Sequence, residues 1–394
     1  MEIEFVSTAW HVLSSFFVFV AGLLTAPWLG KKFQLKRKRA VILYLWHTIF
    51  CMAYMVFVVN FGGDSIGYYF RGFEGAIKIE FGTAAVDLLT HGLILLGGLS
   101  FLGLFLVYNI FGFIGLLAYD ASLRVATLHS SSRVRKLATL AVFLPSVSFW
   151  SAGIGKDALS FMAVGLALWA ALALQRRMKL MGFAVIIMLL VRPHMAGMLV
   201  LALTAAMAIS FNRSLKIRIL IGGLSLAAAV VLVPLGLSYA GLDESANMMD
   251  LQDYVSGRQG YNMEGGGGVD IASMSLPEQL FTYVFRPTLI EARNITTLAA
   301  SLDNALLLVL AVLAARGYLR KRSPYLVGQR LFMWLYAMGS WVLLATTTAN
   351  LGIAVRQKWM FVPFLVFLLL PLIGRSRKVG GASSVSVRNL EGAK

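Results

Sequence analysis

Charged residues are scarce in this chain. Asp, Glu, Lys and Arg make up 13% of its 394 residues, about half the share usual for a soluble domain. That shortage excludes a polar shell able to cover a soluble fold of this size. Cysteine is nearly absent: Cys51 stands alone, so no intrachain disulfide and no cysteine metal cluster is available. Acidic residues are few, 18 against 35 Lys and Arg. No HExxH and no dinucleotide-type glycine pattern occurs, and Gly153-Ile154-Gly155-Lys156-Asp157 lacks the spacing and the Ser or Thr of a phosphate-binding loop. The start, Met-Glu-Ile-Glu-Phe, is acidic and unlike the basic opening of a cleaved signal peptide.

What is present is apolar sequence. Hydrophobic residues reach 59%, and several uncharged runs approach the roughly 20 residues that cross a bilayer as a helix. The pattern predicts an all-α, polytopic transmembrane helical bundle with about eleven spans, broken helices and a long outer loop. The runs lie near 8–28, 40–60, 99–121, 138–151, 157–175, 179–191, 195–211, 219–239, 300–316, 328–346 and 357–373. Residues 1–378 then form a single integral membrane domain, with 240–299 as an outer loop region and 379–394 as a flexible cytoplasmic tail. The stretch 84–98 reads as a surface or re-entrant helix with Asp87 and His91 on one face.

The charges orient the bundle. Lys31, Lys32, Lys36, Arg37, Lys38 and Arg39 follow the first run, and such a block in a short loop marks the cytoplasmic side. Counting spans from there puts Arg133, Arg135, Lys136, Arg176, Arg177, Arg213, Arg316, Arg320 and Arg375 on the same side. The net charge of +17 is thereby explained without nucleic acid. The N-terminus falls outside and the C-terminus inside.

Against this background a few polar residues stand out, all on the outer side. Lys156 and Asp157 follow two glycines that break an apolar stretch; they either cap a helix start or bind and position an anion. Arg192 and His194 flank the helix-breaking Pro193. Charge at membrane depth is a functional hypothesis by default, with Arg192 as a phosphate or diphosphate clamp and His194 as a candidate base. Gly62-Gly63-Asp64 opens a loop in which Asp64 could act as a base, with Tyr68 and Tyr69 as apolar faces for a sugar ring. In the long outer segment, Gly265–Gly268 reads as a hinge, and Arg286, Glu291 and Arg293 place two guanidiniums near one carboxylate; arginine forks suit phosphate oxygens. Arg356 and Lys358 give the acidic face a basic loop, suited to a lipid phosphate or to snorkelling. Together Lys156, Arg192, Arg286 and Arg356 predict a cationic pocket.

The chain resembles bacterial polytopic proteins of exopolysaccharide and O-antigen clusters. The resemblance rests on GGDSIGYY at 62–69, LPSVSFWSAGIGKDAL at 144–159, VRPH at 191–194, YVFRP at 283–287 and NLGIAVRQK at 350–358. Those proteins are described as polysaccharide polymerases or as lipid-linked-donor (GT-C-like) glycosyltransferases. The resemblance implies a substrate on undecaprenyl diphosphate at the outer face of the inner membrane, an N-terminus in the periplasm, and partners among polysaccharide export or chain-length proteins and membrane lipids. Arg192, Arg286 and Arg356 would hold diphosphate or glycan. In the transferases an acid of the first outer loop acts, the place of Asp64, although their paired Asp-Glu is missing here. The expected reaction is glycosyl transfer between lipid-linked repeats. A single-sugar transferase using a polyprenyl monophosphate, a glycan flippase and a non-catalytic export partner are the alternatives. No cofactor is implied; a divalent cation between Asp64 and Asp157 is the variant mechanism.

Overall fold

Two long apolar helices begin by the same device. The hydroxyl of Thr8 accepts from the backbone N–H of His11, and that of Ser100 from Gly103, satisfying donors that a helix start leaves unpaired. These caps open α1 (Ala9–Lys32) and the central α5 (Phe101–Ala126). The computed structural model describes residues 5–75, 79–209, 223, 267–320 and 328–374.

Among these residues the chain is all-helical, with one isolated bridge between Gly268 and Asn350. Between α1 and α5 lie α2 (Arg37–Phe61), α3 (Asp64–Glu74) and α4 (Thr83–Gly97). Then come α6 (Ser132–Val142), α7 (Pro145–Trp150), α8 (Lys156–Ala171), α9 (Met178–Val191) and α10 (Pro193–Ile209). The C-terminal part holds α11 (Leu276–Phe285), a 3₁₀ turn (Leu289–Glu291), α12 (Ile295–Leu319), α13 (Arg330–Thr347), α14 (Leu351–Gln357), a second 3₁₀ turn (Lys358–Met360) and α15 (Val362–Ile373).

The core forms around α5 and α8, which are buried along most of their length. They approach closely because both are glycine at the crossing: a Cβ on Gly165 would stand 2.4 Å from the carbonyl oxygen of Gly115. Small residues of this kind let apolar helices pack backbone to backbone. α1 and α2 pack on one side of α5, α9 and α10 follow α8, α12 pairs with α15, and α15 reaches back to α5.

Among the described residues, four helices are long and apolar enough to cross a membrane: α1, α2, α5 and α12. A fifth is added if Leu351–Met360 and Val362–Ile373, bent by 68°, count as one broken span. α4, α9 and α10 are shorter apolar helices. This is a coarser result than the eleven runs of the sequence. The run 138–151 is two short helices, because Pro145 takes the first position of α7 and ends α6 just before it. The run 219–239 lies, apart from Gly223, outside the described residues, as do 240–266 and 379–394. Of the tetraglycine run only Gly267 and Gly268 are described; Gly267 accepts from Leu351 N–H, and the neighbouring Val269 N–H donates to Ala349.

Several charged groups inside the bundle are matched by partners from distant segments. Asp303 accepts from the backbone N–H of Ser146 at 2.8 Å, which satisfies the start of α7. Lys358 is fully buried and donates to Asn304, whose amide donates to Pro287 O at 3.0 Å. Lys358 is thus an internal brace at the helix break, where the sequence expectation was a basic loop for a lipid phosphate or for snorkelling. Asp87 and His91 share a face of α4 as expected and tie it to α3, Asp87 through Arg71 at 2.9 Å and His91 through Gly72 O at 2.7 Å.

Candidate functional site

Four chain breaks supply the site. At the first, α2 ends at Phe61, Gly62 turns with φ +81°, and α3 starts on Asp64. Ser65 donates to Ile154 O at 2.7 Å, which seats this start against the second break. There Gly155, at φ +152°, precedes α8, and Lys156 and Asp157 form its first turn. A carboxylate in that position is favoured by the helix dipole. The third break is Arg192, between the end of α9 and Pro193 at the start of α10. The fourth is the last turn of α14, begun by Asn350 accepting from Gly352 and Ile353 and carrying Arg356.

The side chains from these breaks form one alternating ion-pair network. Arg192 Nη2 donates to Asp157 Oδ1 at 2.5 Å, and Arg192 Nε to Ser160 Oγ at 3.2 Å. Arg356 Nε lies 3.0 Å from Asp157 Oδ2 without the alignment of a hydrogen bond. Arg356 Nη1 donates to Asp64 Oδ2 at 2.8 Å. Exposure rises along the network: 6% for the Arg192 side chain, 18% for Asp157, 22% for Arg356 and 57% for Asp64. The sequence expectation of a cationic pocket is therefore modified, because two guanidiniums here face two carboxylates and their charges balance. A water-sized cavity of about 10 Å³ is lined by Asp157, Arg356, Ser151 and Trp359 among others.

Lys156 stands beside the network and donates to Thr83 Oγ1 at 3.0 Å. Tyr68 is buried next to Gly155. Burial pushes its hydroxyl up from the ordinary range, and the nearby Asp64 and Asp157 add to the shift. Tyr69 turns to the core, its ring edge-on to Phe101 at 5.3 Å. His194 is half-buried at the start of α10, with no described contact to Asp64, Asp157 or Arg356. Arg286 is bound locally to Glu291, with Nε at 2.8 Å from Oε1. Arg293 is exposed and makes no described contact with Glu291. The structure thus brings Asp64, Asp157, Arg192 and Arg356 into one network, keeps Lys156 and Tyr68 at its edge, and gives Arg286 and Arg293 no described contact with it.

Four polar residues near the site, His47, Asn109, Ser160 and Tyr283, escaped sequence reasoning. His47 Nδ1 lies 2.5 Å from Asn109 Oδ1, and His47 Nε2 lies 3.0 Å from Ser151 Oγ. The Asn109 amide donates to Thr48 at 2.9 Å, so its oxygen accepts and His47 Nδ1 carries a proton. Ser160 orients Arg192. Tyr283 is buried with its hydroxyl unpartnered. The available signal was a polar residue inside an apolar run. Among the described residues no three His, Cys, Asp or Glu side chains gather as a metal site. A cation between Asp64 and Asp157 would have to displace Arg356 from both.

No protein-family model matches the chain, and no curated protein and no solved structure is significantly similar to it. Fold and site define an all-helical protein with helices able to cross a membrane and a charge-balanced network at its helix breaks.

Proposed function

We propose that the chain polymerises oligosaccharide repeat units carried on undecaprenyl diphosphate, by glycosyl transfer at the outer face of a bacterial inner membrane. The observation that carries this reading is the convergence of Asp64, Asp157, Arg192 and Arg356 from four distant segments at one end of the bundle. The basic cluster Lys31–Arg39 lies at the other end of α2, which suits an outer site, a periplasmic N-terminus and a cytoplasmic C-terminus.

In this mechanism a hydroxyl of the acceptor sugar attacks the anomeric carbon of the donor. The bond from that carbon to the diphosphate oxygen breaks, and undecaprenyl diphosphate leaves with the electron pair. The hydroxyl proton passes to Asp64, the most exposed carboxylate of the network. Protonation of Asp64 removes its hold on Arg356 and releases that guanidinium toward the leaving diphosphate. Lys156 supplies a second cation where charge develops. Asp157 and Arg192, the buried members, keep Arg356 in place.

A second reading, a GT-C-like transferase using a polyprenyl-monophosphate sugar, draws on Asp64 being an exposed acid directly after the second long helix. A donor exchange separates the two. Purified protein given diphosphate-linked repeats is expected to form a ladder of longer glycans, and monophosphate-linked monosaccharide is expected to give no product. Transfer from the monophosphate donor alone would overturn the polymerase reading. Flipping without any change in glycan length would support transport instead.

A further inference from the structure

At the end of the bundle remote from Asp64 lies a cavity of about 430 Å³. Its walls come from the turn after α1, with Phe33 and Leu35, the last turns of α5, the helix α6, and Trp169 near the end of α8. Asp120 is the one carboxylate on the wall, and Arg39 already holds it at 2.6 and 3.2 Å. Arg124 and Arg135 also line the cavity. Both are exposed, and neither has a described partner. The cavity therefore carries two uncompensated guanidiniums over an apolar floor.

Its level in the bundle is marked by α1. Trp28 is 59% exposed, with the Lys32 ammonium 5.2 Å from its ring centre. An exposed Trp beside a Lys at a helix end marks the boundary between acyl chains and headgroups. A free anion would use the two arginines and leave the apolar wall unfilled, whereas an amphiphile uses both. Basic pockets between helices at this depth suit anionic headgroups, and guanidinium forks match phosphate oxygens.

We propose that this cavity binds an anionic phospholipid from the leaflet at the basic end, with Arg124 and Arg135 on its phosphate and the apolar wall on the upper acyl chain.

The test is native mass spectrometry of the purified full chain in detergent, titrated with phosphatidylglycerol, phosphatidylcholine or inorganic phosphate. Phosphatidylglycerol is expected to remain bound under conditions that strip phosphatidylcholine. The double variant R124Q/R135Q is expected to weaken that retention roughly tenfold or more. Arg133→Gln removes one neighbouring positive charge outside the cavity wall and is expected to change nothing, whereas Arg124→Gln and Arg135→Gln singly should each weaken retention. All three positions are exposed, so the variants keep the fold. Equal retention of phosphatidylcholine, or unchanged binding by the double variant, would overturn the proposal. Displacement of phosphatidylglycerol by inorganic phosphate at equal concentration would also overturn it, by assigning the site to free phosphate.

Discussion

Asp157 faces two guanidiniums and Asp64 one, and their burial separates their roles. Arg192 is 5% exposed, so Asp157→Asn leaves a buried cation without its carboxylate. The expected loss is about 3–5 kcal/mol of stability, read as earlier thermal unfolding in detergent. Asp64→Asn, with its side chain 57% exposed, is expected to change stability by only about 0–1 kcal/mol while abolishing transfer. Equal destabilisation by the two would contradict this division. These residues were legible in the sequence because charge amid apolar residues next to Gly or Pro has few bland explanations. What was not legible was their pairing: the sequence shows the cations without saying which carboxylate faces which. His47 and Asn109 went unremarked because each is neutral, and only their mutual contact reveals a polar line into the site.

At the scale of elements, the breaks before Lys156 and at Arg192-Pro193 were legible from backbone chemistry alone. The bend between α14 and α15 was legible only as a break, since Pro363 stands in the first turn of α15; its 68° angle depends on tertiary contacts such as buried Lys358 against Asn304. The α5–α8 crossing likewise depends on two glycines that the sequence scatters among many. Gly165→Ala puts a Cβ 2.4 Å from Gly115 O and is expected to destabilise by about 1–3 kcal/mol through overpacking, measured by denaturant unfolding. The turn before α12 gives a pH prediction. Arg286 holds the Glu291 carboxyl down to about 2, from an ordinary 4.5. Its stabilising contribution is complete above pH 4.5 and is lost as pH falls toward 2. Glu291 also accepts from Thr288 N–H at 2.6 Å, so exchange of that amide should lose protection over this range, and Glu291→Gln should remove the pH dependence.

For the whole molecule, the fold class was legible from composition, while the span count was not. Short helices such as α6, α7 and α9 read as apolar runs whether or not they cross lipid, and their lengths depend on breaks that tertiary contacts fix. Orientation is testable through the buried Cys51, 0% exposed, which leaves added cysteines as the reactive ones. Ile79→Cys, at a position 92% exposed near the Asp64 end, should label from outside intact cells, and Tyr318→Cys, at a position 72% exposed near the basic end, only after permeabilisation. In the proposed mechanism the network supports glycan transfer and Asp64 takes the proton. The most direct test is product length from purified protein and diphosphate-linked repeat units, comparing native chain with Asp64→Asn at matched folded amounts. The native chain is expected to give a growing ladder and the variant unextended substrate; a ladder of equal length from Asp64→Asn would rule out Asp64 as the proton acceptor.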